Sequence, residues 1–193
     1  MKKLYEKPVI QQVKSGMTNN LAELHSTIIQ DSIEGIKIKS LVQEYGSPLF
    51  VYSEQTIIDK YLELKAAFSL RYPNVIHAWS YKTNYLKSIC KIFHNLGSWA
   101  EVVSMMEYEM ATRLGVKPSN IIFNGPAKSY EELKKALVEG ALVNIESIDE
   151  LSDFERIADE INTPVNIGIR VNMSLEPYIS WNRFGFNIEP GQA

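Results

Sequence analysis

Cysteine is nearly absent from this 193-residue chain: Cys90 stands alone, so neither an internal disulfide nor a thiolate metal cluster can form. The histidines, His25, His77 and His94, show no metal-ligand spacing, and no metal site is expected. No run approaches the roughly 18 to 20 apolar residues of a membrane span. Lys2 and Lys3 are not followed by the apolar stretch of a secretory signal. Charge of one sign is not in excess either. Lys and Arg number 20 against 23 Asp and Glu, a formal net charge of -3, so no broad basic field is available for a nucleic acid or an anionic membrane surface. The expectation is a cytoplasmic protein without nucleic-acid or membrane partners. What is present, 45% apolar and 22% charged residues, is the composition of a globular protein able to bury a core.

Residues 1 to about 35 stand apart from the rest, and residues 1–20 show no sustained period and read as an extended arm that needs a partner surface to become ordered. Ile36-Lys37-Ile38 precedes a helical Leu41-Val42-Gln43-Glu44-Tyr45, which Gly46 and Pro48 stop. Leu49-Phe50-Val51-Tyr52 reads as a strand, and Ser53 opens an amphipathic helix to about Leu70. Apolar, β-rich runs then begin near Val75, Trp99, Ile121, Leu142 and Val165, at intervals of roughly 20 to 25 residues. The helical patterns between them are well punctuated. Ser104 opens one that ends at Gly115, Ser129 opens another that ends at Gly140, and Ser147 with Glu150 forms a capping-box pattern for a third.

Such a rhythm belongs to βα units of a parallel sheet, in an open doubly wound sheet or in a (β/α)8 TIM-type barrel. An open sheet usually carries a glycine-rich phosphate loop at its first βα turn. Here that turn, Tyr81-Lys82-Thr83-Asn84-Tyr85, has no glycine, which favours the barrel. About five βα units are visible where a barrel needs eight in about 250 residues. An incomplete barrel is therefore expected, with an N-terminal region over 1–48 and the partial barrel over 49–193.

Alternation in the first strand, read as 75–82, puts Ile76, Ala78, Ser80 and Lys82 on one face and His77, Trp79 and Tyr81 on the other. Lys82 then falls at the C-terminal strand end, where barrels keep their chemistry. A lysine among small and apolar neighbours can act as a neutral amine and form a Schiff base, although a strand-end lysine also snorkels into water. In the second strand Glu101 needs a cationic partner if buried, and is otherwise an edge carboxylate. The fifth strand places Gly168, Arg170 and Asn172 on one face, Gly168 leaving room beside a ligand and Arg170 bringing a fixed charge.

These residues resemble a family. Ser80-Tyr81-Lys82-Thr83-Asn84 is similar to the cofactor-lysine motif of the alanine-racemase-like, fold type III pyridoxal-phosphate enzymes. Gly97 to Ser104 with Glu107 resembles the Gly-x-x-Ala-Asp-Val-Val-Ser-x-x-Glu segment of their diaminopimelate/ornithine-type decarboxylases. The stretch 121–129, Ile145-Glu146-Ser147-Ile148-Asp149-Glu150-Leu151, Ile169-Arg170-Val171-Asn172 and Arg183-Phe184-Gly185-Phe186 resemble further family segments in the family's order. The resemblance covers about Tyr45 to Phe186.

The resemblance implies a carboxy-lyase that uses pyridoxal 5'-phosphate on a small-molecule amino acid, with the diaminopimelate-like branch fitting best and a homodimeric parent. It assigns Lys82 as the Schiff-base lysine, Ser80 and Glu101 to the cofactor site, and Arg170 to the pyridine side. It also makes the region before the barrel a segment of a β-domain. Glu101 departs from the usual Asp by one methylene, and Arg183 stands where Lys is usual. The family's ring-stacking His, its Gly-rich phosphate loop and its C-terminal β-domain would follow Ala193, so the chain is expected to be a fragment, inactive by itself. The alternatives are an alanine-racemase relative, a non-catalytic pyridoxal-phosphate barrel (which normally lacks residues 49–52 and the segment before them), and an inactive truncated product.

Overall fold

A computed structural model describes residues 31–173 and 183–193. The expected extended arm over 1–20 lies outside the described residues. The chain divides into two units between Val51 and Tyr52.

In the first unit, β1 (Ser32–Ile33) and β2 (Ile36–Lys37) pair antiparallel. Their two-residue turn has positive φ at both Glu34 and Gly35, the geometry that matches the twist of paired strands. Helix α1 (Ile38–Tyr45) begins three residues earlier than its apolar pattern suggests. It stops at Gly46, whose φ of 86° few side chains tolerate.

The second unit alternates helix and strand. Helix α2 (Glu54–Ser69) is followed by β3 (Ala78–Ser80), α3 (Lys87–Asn95), β4 (Trp99–Val102), α4 (Met105–Arg113) and β5 (Ile121–Phe123). Then come α5 (Tyr130–Val138), β6 (Leu142–Ile145), α6 (Ile148–Ile161), β7 (Ile167–Ile169), β8 (Val171–Asn172) and β9 (Phe186–Asn187). Strands β3 to β7 form one sheet in sequence order, parallel throughout. Parallel neighbours joined by helices are the architecture of a (β/α)8 barrel wall. β8 pairs in parallel with β9.

Two expectations about strands are corrected. Residues 49–52 form no strand: they pair with no other strand among the described residues, and Phe50 is 86% exposed. Their apolar, aromatic composition matches a strand, but a strand exists only through its partner. The first barrel strand is also shorter than 75–82. It pairs only at 78–80, after which the Thr83 N–H donates to the Ser80 carbonyl and closes a turn.

The helix starts follow their serine caps. Ser53, Ser104, Ser129 and Ser147 each accept a hydrogen bond from the backbone N–H three residues on. The complete capping box is at Ser129–Glu132 rather than at Ser147. Glu150 reaches past Ser147 to accept from the Glu146 N–H, and Glu107 likewise reaches past Ser104 to the Val103 N–H.

One face of the sheet carries Ala100, Val102, Ile121, Phe123, Val143 and Ile145, all essentially inaccessible. They pack against Cys90, Tyr108, Ala111, Leu133, Ala136, Phe154 and Ile157 of the helices. That face is the core, and the opposite face is left for polar groups.

Candidate functional site

Register fixes which side chains share the second face. Ser80 pairs with Glu101, and Asn144 pairs with Gly168. Glu101 stands on the face opposite Ala100 and Val102, and Asn124 stands one residue past β5 on the parity of Ile122. Asn124 Nδ2 donates to Glu101 Oε1 at 2.7 Å, and Asn144 Nδ2 donates to Asn124 Oδ1 at 2.5 Å. The row ends at Gly168, where a Cβ would lie 1.9 Å from Asn144 Oδ1. Ser80, Glu101 and Gly168 are thus brought to one side, as alternation predicts.

Lys82 lies two residues beyond β3, in a turn held at several points. The Tyr81 N–H donates to the Glu101 carbonyl at 3.0 Å, and the Trp79 indole N–H donates to the Asn84 carbonyl at 2.9 Å. Asn84 Oδ1 in turn accepts from the Leu86 N–H at 3.0 Å. Beneath the turn, the fully buried Tyr81 donates its hydroxyl to His94 Nε2 at 2.8 Å, while His94 Nδ1–H donates to the Ser98 carbonyl at 2.9 Å. The Lys82 side chain is exposed and makes no hydrogen bond or ion pair with a described residue. The backbone is fixed and the amine is free.

Arg170 follows β7. Its guanidinium donates to Glu146 Oε1 at 2.7 Å and lies 4.9 Å from the centre of the Phe184 ring. Glu146 is buried, so Arg170 neutralises a carboxylate that would otherwise be costly to enclose. A second buried pair lies close by in sequence: Lys128 Nζ is 3.0 Å from Glu150 Oε1 and donates to the Gly125 carbonyl at 2.6 Å. Gly125 itself cannot carry a side chain, because its φ is 112° and a Cβ would sit 2.6 Å from the Val103 carbonyl.

Asn124, Asn144, Glu146 and Lys128 were not singled out from the sequence. The signal for the two asparagines was available. Both sit on the parity of half-buried strand positions, Asn144 inside the apolar run 142–145 and Asn124 just past the run 121–123, where alternation assigns them to the polar face.

Residues 54–192 match the family described as pyridoxal-dependent decarboxylase, pyridoxal binding domain. The chain belongs to this family. It is 36% identical over 160 residues to the diaminopimelate decarboxylase of Campylobacter jejuni and 32% identical over 169 residues to that of Aquifex aeolicus, alignments that take in 78% and 83% of this chain. Its fold superposes on the crystal structure of diaminopimelate decarboxylase from M. jannaschii in complex with L-lysine. The TM-score is 0.77 and the identity 30%, over 83% of this chain and 40% of that one. The chain spans about 39% of the length of the curated relatives it matches.

Family membership implies pyridoxal phosphate, and the residues present fit it. The Ser80 hydroxyl is buried and has no hydrogen-bond partner among the described residues, a donor able to meet an acceptor. Glu101 has one oxygen engaged by Asn124 and the other making no hydrogen bond with a described residue. The space beside Gly168, expected to serve a ligand, is taken by Asn144 Oδ1 instead. An exposed primary amine on a fixed turn suits a covalent link to an aldehyde.

Proposed function

We propose that this chain is the cofactor-binding part of a pyridoxal-phosphate-dependent amino-acid decarboxylase whose substrate is a diamino acid of the diaminopimelate type. Lys82 is the residue that binds the cofactor covalently. Ser80 donates a hydrogen bond into the site, Glu101 presents a carboxylate beside the ring, and Arg170, oriented by Glu146, sets a guanidinium on the pyridine side. The cofactor, when bound, supplies an electron sink for the carbon–carboxylate bond that breaks. The chain's contribution is orientation: a fixed turn for the amine, a polar sheet face, and charged groups whose positions are set before the ligand arrives.

The parent enzyme is a homodimer, as the resemblance implies, and works in the cytoplasm. The observation that carries the reading is the exposed Lys82 amine on its anchored turn, two residues from the buried Ser80 hydroxyl, neither of them bonded to another side chain among the described residues. The test is an absorbance spectrum after addition of pyridoxal phosphate, followed by borohydride reduction and peptide mapping. The expected outcome is an absorbance band and a single modified lysine, Lys82, both lost in Lys82→Ala. Label spread over surface lysines, or unchanged by that substitution, would sink the assignment. Release of CO2 from meso-diaminopimelate, compared with ornithine and lysine and measured on the whole parent enzyme, tests the substrate.

A further inference from the structure

The row Glu101–Asn124–Asn144–Gly168 has a direction, and its chemistry sets it. An ionised carboxylate only accepts hydrogen bonds, so Asn124 must turn its Nδ2 towards Glu101. Its Oδ1 then faces Asn144, which must offer its own Nδ2. The remaining Oδ1 of Asn144 comes to rest over Gly168, in the space a Cβ would fill. Each amide taken alone could be turned either way. With a carboxylate at one end, both orientations are fixed. The side chains of β4, the residue after β5, and β6 are thereby tied together on the face opposite the core, and the row abuts β7 at Gly168.

The row also meets a need specific to this chain. Glutamate has one more rotatable bond than aspartate, so its carboxylate samples more positions and costs more entropy to hold. Anchoring Oε1 removes that freedom and leaves Oε2 as the oxygen presented to a ligand. The loop that carries Asn124 is itself pinned, because Lys128 is paired with the buried Glu150 and donates to the carbonyl of Gly125, the next residue.

We infer that Asn124 and Asn144 are positioning residues that aim the Glu101 carboxylate at the ring of the bound cofactor, and that Gly168 is a glycine because Asn144 occupies its side-chain space. The inference rests on the proposed function for its ligand and on the described geometry for the row itself.

Two measurements test it. The first needs no cofactor. Side-chain amide signals of Asn124 and Asn144 are assigned by NMR in the full chain and followed in Glu101→Ala. Both pairs are expected to shift, Asn144 through Asn124; an Asn144 signal that stays in place overturns the row.

The second is a double-mutant cycle on the dissociation constant for pyridoxal phosphate, read by absorbance. Asn124→Ala is expected to weaken binding roughly 10- to 100-fold, the value of a hydrogen bond to a charged group. Asn144→Ala and Gly168→Ala are each expected to weaken it by roughly tenfold, and the pair combined by about the same factor, since both remove one contact. Multiplied effects in the combined variant overturn the role given to Gly168. If the unaltered chain takes no cofactor onto Lys82, the proposed function falls, and the amide signals still decide the row.

Discussion

Tyr81 precedes Lys82 and is wholly buried, so whatever disturbs its hydroxyl disturbs the turn that carries the amine. Its partner His94 is the titratable member of the pair. Burial pushes the His94 imidazole below its ordinary range, the nearby Lys91 charge pushes the same way, and the Ser98 carbonyl opposes them. In the folded chain His94 therefore binds a proton less readily than in the unfolded chain, where its pKa is about 6.5. The sign follows directly: stability is complete above the unfolded value and is lost as pH falls through it towards the lowered folded value. Urea midpoints measured from about pH 8 to about pH 5 should decline more steeply in the natural chain than in His94→Phe. Parallel curves for the two proteins would remove His94 as the source.

The helix ends are the next level of organisation, and their serines do more than start helices. The N-terminus of α6 holds Glu150, which accepts from the Glu146 N–H at 2.9 Å and faces Lys128 at 3.0 Å as an ion pair. Both side chains are essentially enclosed, so removing one partner leaves a buried charge alone. Lys128→Met should cost about 3 to 5 kcal/mol in chemical denaturation, and Lys128→Met with Glu150→Leu should recover much of it. Equal losses in the single and double variants would show that the charge pair is not the cause.

Much at this level was legible in the sequence. Ser104, Ser129 and Ser147 marked their helix starts because a capping serine acts within four residues. The parity of Ser80, Glu101, Gly168 and Arg170 was legible because strand alternation is equally local. Residues 49–52 misled because strand character there depends on a partner that composition does not encode. Asn124 and Asn144 were missed because a lone polar residue just past or inside a short apolar run carries no signal by itself, and their hydrogen bonds join strands about 20 residues apart in sequence.

Across the second unit, cover on the helix side of the sheet stops between β6 and the edge strand β7. Val143 and Ile145 of β6 are closed off by helices, at 0% and 1% exposure. Their register partners Ile167 and Ile169 in β7, on the same face, are 40% and 58% exposed, and Val171 just beyond them is 52% exposed. β7 is also the last strand of the five-stranded sheet, with backbone groups on its outer side facing no further strand of that sheet. An apolar strip beside an open edge favours association, either edge to edge or face to face. The purified chain is therefore expected to show concentration-dependent self-association in sedimentation velocity. Burial of one isoleucine contributes about 1.5 to 3 kcal/mol, so Ile169→Lys should weaken association by roughly tenfold or more. Met106, 62% exposed on α4, serves as the control position, since its helix packs on β4 and β5 rather than beside β7. If Met106→Lys reduces association as strongly as Ile169→Lys, the contact is a general apolar stickiness; if only the β7 variant does so, the open edge directs it.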